Sequence, residues 1–192
     1  LGRNIVNINT SNSIGFVING GRELSGTVSM KSSKNGAVAL LAGSLLNKGT
    51  TILEQVPKIE EVYRLIEVLE SIGVSIKWFN DNDLEIKPPA KLQLDKIDVD
   101  AAKKTRSIIM FIGSIMHLEK EFNLPYAGGC HLGKRTIAAH EYALEQFGVN
   151  IETVTGKYIV SVKKTLPKEV VMYETGDTAT NNALFAAAYS EG

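Results

Sequence analysis

The only cysteine of the chain, Cys130, lies in the glycine-rich and basic stretch "YAGGCHLGKR". Glycines on both sides allow the backbone there to turn tightly. The basic residues that follow, His131, Lys134 and Arg135, favour the thiolate form of a nearby cysteine and so raise its reactivity. The alternative is a small buried cysteine that packs as a hydrophobe. The flanking glycines and bases favour a functional thiol.

A second candidate site is the segment "MKSSKNGA", in which Ser32 and Ser33 precede Lys34, Asn35 and Gly36. The serines are candidate N-caps, so a helix is predicted to begin at Lys34. Free N–H groups at a helix start, together with a lysine, suit a phosphate or carboxylate. The spacing does not match a Walker motif. From this segment alone, a solvated lysine beside a capped helix is the simpler interpretation.

Arg106 is the third candidate, at the point where the basic run "KKTR" meets the apolar run "SIIMFIGSIM". That position predicts a guanidinium near a surface or cleft, and a guanidinium suits bidentate binding of an oxyanion. The alternative is that Arg106 ends a solvated face that also carries Lys103 and Lys104.

Metal and cofactor sites are not expected. The three histidines and one cysteine lack the spacing of zinc ligands, and His117 and His140 are interpreted as packed or surface residues.

The elements that position these residues recur along the chain. "LESIGVSI" (69–76) resembles "LEQFGVNI" (144–151), with the glycines 75 residues apart and a hairpin-like segment after each. Segments 26–49 and 169–192 are similar in pattern at about twice that separation. This favours three β-α-β-α-β-β units of about 72 residues in one α/β domain, although helix-glycine-strand junctions are common in α/β proteins.

Predicted boundaries follow from the apolar periodicity. In the first unit we expect strands at 27–31, 50–55, 74–79 and 83–87 and helices at 34–47 and 59–72. In the second unit a nearly all-apolar helix is expected near 99–118. Residues 1–19 are interpreted as a flexible arm, and the units as about 20–89, 90–165 and a truncated 166–192.

Composition excludes several classes of protein. The chain has 21 Lys plus Arg and 21 Asp plus Glu, so it has no net charge that would favour binding to nucleic acid or to an anionic membrane. One cysteine excludes an internal disulfide framework and fits a reducing compartment. No apolar run reaches the roughly 18–20 residues of a membrane span, and no signal-peptide core is present. A cytoplasmic location is expected, with no nucleic-acid or membrane partner.

Taken together, Lys34-Asn35, the segment "VPKIEEV" (56–62), Arg106 in "KTRS" and the "GGC" loop closely resemble the UDP-N-acetylglucosamine enolpyruvyl transferases. The resemblance runs from about Gly20 to Gly192. It implies a fold of β-α-β-α-β-β units, three to a domain, in two domains around a cleft (an inside-out α/β barrel). The second domain would lie outside this sequence, and the chain alone is expected to be inactive.

The resemblance also implies a reaction, in which the enolpyruvyl group of phosphoenolpyruvate is transferred to the 3′-hydroxyl of UDP-N-acetylglucosamine with release of phosphate. This commits the sugar nucleotide to peptidoglycan, and the family's loop thiol is the target of fosfomycin. By position, Cys130 would protonate phosphoenolpyruvate, Lys34 and Arg135 would hold its phosphate and carboxylate, and Asn35 and Arg106 would face the sugar nucleotide. Further substrate-binding positions implied are Gly129, Thr136, Ile137, Gly176, Asp177 and Thr178.

The chain departs from the family at three positions near the nucleotide. Thr136 and Ala138 stand where the family usually has proline and aspartate, and Glu174 stands where it usually has a basic residue. Two alternatives therefore stay open: a relative with another acceptor, such as the shikimate-phosphate enzyme, and a non-catalytic copy that binds an anionic ligand. The loop cysteine speaks against the shikimate-phosphate enzyme, which lacks it.

Overall fold

In a computed structural model, two three-stranded antiparallel sheets and six α-helices occupy the described residues, which are 20–21, 23–29, 32–126, 128, 136–163 and 169–188. The helices are α1 (Lys34–Gly43), α2 (Glu60–Ser71), α3 (Val99–Lys103), α4 (Phe111–Ile115), α5 (Ala138–Glu145) and α6 (Asp177–Ala187). The strands are β1 (Thr51–Leu53), β2 (Ser75–Phe79), β3 (Asp83–Lys87), β4 (Glu121–Pro125), β5 (Val149–Val154) and β6 (Lys157–Val162). Short 3-10 helices cover Ser44–Leu46, Leu94–Lys96 and Ser107–Met110.

The chain divides into two units, Leu1–Met30 and Lys31–Gly192. The described residues of the first, 20–21 and 23–29, are irregular, and every helix and strand named above belongs to the second. The predicted arm at 1–19 lies outside the described residues.

The first two helices begin as the sequence predicts, for different reasons. Ser33 caps α1, because its hydroxyl oxygen accepts a hydrogen bond from the Gly36 N–H at 3.1 Å. The start of α2 has no side-chain cap, but Glu60 and Glu61 in its first turn complement the positive end of the helix dipole. The buried face of α2 packs into the core through Val62, Leu65, Ile66, Val68 and Leu69.

Both predicted hairpins are present, and the two sheets share one topology. The strand orders are β1-β3-β2 and β4-β6-β5, so the last strand of each set is central. Gly73 and Gly148 precede the hairpins with φ of 95° and 77°, a left-handed conformation that ends a helix at little cost only for glycine. The same arrangement therefore follows α2 and α5.

One continuous hydrophobic core joins the helices to both sheets. The segment from Ser107 to Ile115 is buried at every position, which confirms that the apolar run lies inside the protein. Among the largest fully buried side chains are Leu41, Leu65, Leu69, Leu84, Phe111 and Tyr158.

The predicted leading strand of each unit is wrong for the described residues. Residues 27–29 and 169–176 contain no strand, and Val28 and Val171 within them are 87% and 67% exposed. Residues 88–93 are also irregular and begin with Pro88-Pro89, which lack the N–H donors of a strand ladder. The described order is thus α1-β1-α2-β2-β3 followed by α3-α4-β4-α5-β5-β6, so the two units match from their first strand onward. The first-unit strand predicted at 50–55 is shorter than expected, at 51–53.

Two predicted helices differ in extent. The helix expected at 34–47 ends at Gly43 and continues as the 3-10 turn Ser44–Leu46. The helix expected near 99–118 is broken after Lys103, and the chain resumes as a 3-10 turn at Ser107. The Thr105 hydroxyl oxygen accepts a hydrogen bond from the Ser107 N–H at 3.1 Å. A side-chain oxygen thus takes the place of the backbone carbonyl that would accept this bond in a continuous helix.

Candidate active site

A cleft of about 570 Å³ opens where several helices begin. Its walls come from the first turns of α1, α2, α5 and α6 and from the 3-10 turn at Ser107. The lining residues are Lys34, Asn35, Glu61, Arg106, Ser107, Ile109, Thr136, Ala139, His140, Glu174, Gly176, Asp177 and Thr178. Free N–H groups at helix starts make such a cleft suited to ligand oxygens.

One side of the cleft, which we name the charged wall, consists of Lys34, Glu61, Thr105 and Ser107. The Lys34 ammonium lies 2.8 Å from Glu61 Oε2, and the two side chains are 49% and 25% exposed. Glu61 Oε1 accepts hydrogen bonds from the hydroxyls of Thr105 at 3.2 Å and Ser107 at 2.5 Å. The carboxylate that pairs with Lys34 therefore also accepts hydrogen bonds from two hydroxyl groups.

The protonation of Glu61 follows from these contacts. Partial burial raises the pKa of this carboxyl, but hydrogen bonds from Lys34 and Ser107 and the charge of Lys34 outweigh burial and lower it. The net pKa lies below the ordinary value, so Glu61 is ionised at neutral pH.

A second group, which we name the neutral wall, consists of the lining residues His140 and Thr178 and of the buried Asn182, which contacts His140. Asn182 is fully buried, and its amide contacts Gly113 N at 2.7 Å, Ile109 O at 3.1 Å and His140 Nδ1 at 3.1 Å. His140 Nε2 lies 3.3 Å from the Thr178 hydroxyl oxygen. Burial and the nearby Arg106 charge lower the pKa of His140 to about 4, so the ring is neutral at pH 7.

Two contacts bring more distant segments to the cleft. Arg106 Nη2 donates to the Thr136 carbonyl oxygen at 2.8 Å, which ties the start of the 3-10 turn to the residue before α5. Asn35 Nδ2 donates to Asp177 Oδ2 at 3.1 Å, which ties the first turn of α1 to that of α6.

Glycines permit two close approaches next to these contacts. A methyl group at Gly113 would overlap the Asn182 backbone oxygen and Oδ1, and one at Gly128 would overlap the Lys103 carbonyl oxygen. Gly128 and Thr136, the nearest described residues on either side of 129–135, therefore both contact the segment Lys103–Arg106.

The described lining contains more acidic than basic side chains. Lys34 and Arg106 carry positive charge, whereas Glu61, Glu174 and Asp177 carry negative charge. Lys34 pairs with Glu61, whereas Arg106 lies near enough to His140 to lower the pKa of that ring. Because three carboxylates and two cations line the cleft, it offers partners to hydrogen-bond donors as well as to anions.

The structure brings seven of the predicted site residues together: Lys34, Asn35, Arg106, Thr136, Gly176, Asp177 and Thr178. Ile137 does not line the cleft, because its half-buried side chain packs against the hydrophobic core. Gly129, Cys130 and Arg135 lie outside the described residues.

Five residues of the two walls are given no role by the sequence analysis: Glu61, Thr105, Ser107, His140 and Asn182. Glu61 lies within the quoted segment "VPKIEEV", and His140 was interpreted only as packed or surface. The burial of His140 confirms the packed alternative, but the same ring also lines the cleft. For Asn182, the feature of the sequence that could have indicated a role is a polar residue within the run "TNNALFAAA", which is otherwise rich in small residues.

Within the described ranges, no group of three or more histidine, cysteine or acidic side chains is placed to hold a metal ion. No helix among these same residues combines the length and apolar character needed to cross a membrane.

The sequence matches, over residues 18–192, the family model described as EPSP synthase (3-phosphoshikimate 1-carboxyvinyltransferase). The chain belongs to this family. It is 32% identical over 179 residues to the UDP-N-acetylglucosamine 1-carboxyvinyltransferase of Bradyrhizobium diazoefficiens and 30% identical over 177 residues to that of Treponema denticola. These alignments cover 93% and 92% of the chain and 41% of each relative. The chain thus spans about two fifths of the length of these curated relatives.

Solved structures of carboxyvinyl transferases share the fold. The enolpyruvyl transferase NikO from Streptomyces tendae superposes with a TM-score of 0.65 at 17% identity, over 90% of this chain and 40% of that one. An EPSP synthase from Acinetobacter baumannii gives a TM-score of 0.61 at 16% identity, over 87% of this chain and 39% of that one. At these identities the likeness establishes the fold alone.

Proposed function

We propose that the intact protein transfers the enolpyruvyl group of phosphoenolpyruvate to the 3′-hydroxyl of UDP-N-acetylglucosamine and releases phosphate, as a cytoplasmic step in peptidoglycan synthesis. The observation that carries the proposal is the convergence of Lys34, Asn35 and Arg106 on one cleft in a member of a carboxyvinyl transferase family. Relatives named for this reaction are about 30% identical over nearly the whole chain.

The proposed domain organisation follows the family resemblance. Residues 20–192 would form most of the first domain of an inside-out α/β barrel, with units at about 20–89, 90–165 and 166–192. The shared order of the two sheets supports repeated units. Residues supplied by a second domain would complete the cleft, so the 192-residue chain alone is proposed to be inactive.

Lys34 is proposed to bind the phosphate or carboxylate of phosphoenolpyruvate by leaving Glu61. Glu61 keeps the Thr105 and Ser107 hydroxyl donors when the lysine departs, which lowers the cost of the exchange. Arg135 is proposed to hold the second anionic group, and Cys130 to protonate the substrate's methylene carbon. Asn35, Arg106, Gly129, Thr136, Ile137, Gly176, Asp177 and Thr178 are proposed to contact the substrates.

One observation favours an acceptor other than UDP-N-acetylglucosamine. Glu174 and Asp177 place two carboxylates at the start of α6, where they would repel a diphosphate and attract hydroxyl or amine donors. The alternative is an enolpyruvyl transferase whose acceptor presents hydrogen-bond donors rather than phosphate to the residues at the start of α6.

Calorimetry of the intact protein with UDP-N-acetylglucosamine separates these proposals. The proposed reaction expects saturable binding, together with phosphate release from phosphoenolpyruvate that depends on this acceptor. The absence of both would refute UDP-N-acetylglucosamine as the acceptor and favour the alternative.

The role of Cys130 has its own test, which is mass spectrometry after incubation with fosfomycin. A single covalent adduct on wild type and none on Cys130→Ala is expected. An unmodified thiol at saturating drug would contradict the proposed reactive cysteine.

A further inference from the structure

The orientation of the buried Asn182 amide is fixed by two backbone groups. The Gly113 N–H can only donate, so the atom that it contacts is the amide oxygen, at 2.7 Å. The Ile109 carbonyl can only accept, so the atom that it contacts is the amide nitrogen, at 3.1 Å. A flipped amide would place like groups together at both contacts, and the flip is therefore excluded.

The fixed amide determines which nitrogen of His140 carries the proton. The second hydrogen of Asn182 Nδ2 is directed at His140 Nδ1, which lies 3.1 Å away and must therefore accept. A neutral imidazole carries one hydrogen, which is then on Nε2. Burial of the ring, which is 5% exposed, keeps it neutral.

The proton on His140 Nε2 in turn orients the hydroxyl of Thr178. The Nε2–H donates to Thr178 Oγ1 at 3.3 Å, so one lone pair of that oxygen is used by the protein. Within the part of the chain that the structure describes, His140 is the one hydrogen-bond partner of this hydroxyl. Thr178 lines the cleft, so its own proton is available to a ligand there.

We propose that Asn182 and His140 are positioning residues that hold His140 as the Nε2–H tautomer, and that Thr178 consequently donates its hydroxyl proton to an oxygen of the acceptor substrate. The donation to the acceptor rests on the proposed function, whereas the tautomer does not. The ligand atom is an oxygen with a free lone pair, either a sugar hydroxyl or a phosphoryl oxygen. A hydroxyl would also satisfy the adjacent Asp177 carboxylate, because a hydroxyl both accepts and donates.

The tautomer is tested without any ligand, by ¹⁵N NMR of the histidine side chains of the intact protein at pH 7. The His140 resonances, assigned by their loss in His140→Gln, are expected to show a protonated Nε2 and an unprotonated Nδ1. Asn182→Asp removes the donor to Nδ1 and is expected to move the proton to Nδ1 or to charge the ring. A protonated Nδ1 in wild type, or no change in Asn182→Asp, would overturn the positioning role.

The donor role is tested by calorimetry with UDP-N-acetylglucosamine on three variants. Thr178→Val removes the hydroxyl with little change of shape and is expected to weaken binding by about 3- to 10-fold, the value of one net hydrogen bond. Thr178→Ser restores the hydroxyl and is expected to restore binding. Thr180→Val, at an exposed position two residues along α6, is the matched control and should bind as wild type does.

The possible outcomes separate the two proposals. Unchanged binding by Thr178→Val would overturn the donor role. If wild type shows the Nε2–H tautomer but binds no UDP-N-acetylglucosamine, the proposed acceptor and the donation to it are refuted while the tautomer assignment stands. Repeating the titration with UDP alone shows which ligand oxygen accepts from Thr178. If Thr178→Val weakens binding of the sugar nucleotide only, the oxygen belongs to the sugar. If it weakens binding of UDP equally, the oxygen belongs to the nucleotide part.

Discussion

The charged wall and the neutral wall face the same cleft but differ in exposure and in how firmly each is held. Lys34 is 49% exposed and has one carboxylate partner, whereas Asn182 is fully buried and has three partners. An exposed ion pair contributes little to stability, while a buried polar group is costly whenever a partner is lost. The difference indicates that one wall can exchange partners with a ligand and that the other keeps a fixed geometry.

The largest loss of stability is expected from Gly113→Ala, which acts on the neutral wall. The added methyl would overlap the Asn182 backbone oxygen and Oδ1, so α6 or the amide must move and buried polar groups lose their partners. Overpacking and an unsatisfied buried group together predict a loss of about 4 kcal/mol in the free energy of unfolding. Denaturant unfolding of the intact protein measures it.

A matched control for this substitution is Gly49→Ala. Gly49 is exposed, and a methyl there meets nothing closer than the Asn47 side chain at 3.4 Å. The control should change the free energy of unfolding by less than about 0.5 kcal/mol. Equal effects of the two substitutions would mean that the neutral wall is not rigid.

Low pH is also expected to destabilise the neutral wall, because His140 must gain a proton there. Its pKa is about 4 in the folded protein and 6.5 ordinarily, so between these values the unfolded chain binds more protons. The free energy of unfolding therefore falls as the pH falls from 6.5 to about 4, by about 3 kcal/mol in total. Urea unfolding at a series of pH values measures the slope.

Two carboxyl groups also titrate near this pH range. The contribution of His140 is therefore taken as the difference between wild type and His140→Gln in the slope of the free energy of unfolding against pH. Glu61, whose pKa is lowered, loses its stabilising contribution only below its ordinary value of 4.5. Burial raises the pKa of Glu141, which acts in the opposite sense above 4.5. Identical slopes between pH 5 and 6.5 in wild type and variant would show that His140 is not the group responsible.

The smallest effect on stability is expected on the charged wall, from Lys34→Met. The pair with Glu61 is partly exposed, so the free energy of unfolding should fall by less than about 1 kcal/mol. Turnover is expected to respond differently, because the variant lacks the cation that is proposed to bind phosphoenolpyruvate, and phosphate release should drop by roughly 100-fold or more.

Lys48→Met is the control for this loss, since Lys48 is exposed and outside the cleft lining. Both its stability and its turnover should match wild type. A Lys34→Met protein that turns over normally would remove Lys34 from the proposed mechanism.

Local patterns were enough to predict much of the fold. The hairpins and the glycines at 73 and 148 follow from chain-local turn chemistry, and the start of α1 follows from the Ser33 cap. The predicted leading strands were wrong for the described residues, because a strand also requires a pairing partner and a local sequence pattern does not specify one. The break after Lys103 depends on one hydroxyl, that of Thr105, which competes with the backbone for the Ser107 N–H.

The candidate site was predicted on one side better than on the other. Lys34, Asn35 and Arg106 were assigned from the family resemblance, because each segment taken alone also fits a solvated side chain near a helix start. His140 and Asn182 act through contacts that join residues 42 and 73 positions apart in sequence, and no local spacing encodes such contacts. Long-range hydrogen bonds of this kind become visible only once α5 and α6 are packed together.

The contacts of Gly128 with Lys103 and of Thr136 with Arg106 have a consequence for the segment between α3 and the 3-10 turn at Ser107. Both contacts end on this short segment, so a displacement of Lys103–Arg106 would be passed on to Gly128, after β4, and to Thr136, before α5, at the same time. A side chain at Gly128 would force such a displacement, because an added methyl group would overlap the Lys103 carbonyl oxygen. Gly128 can therefore affect the position of Arg106 without itself lining the cleft.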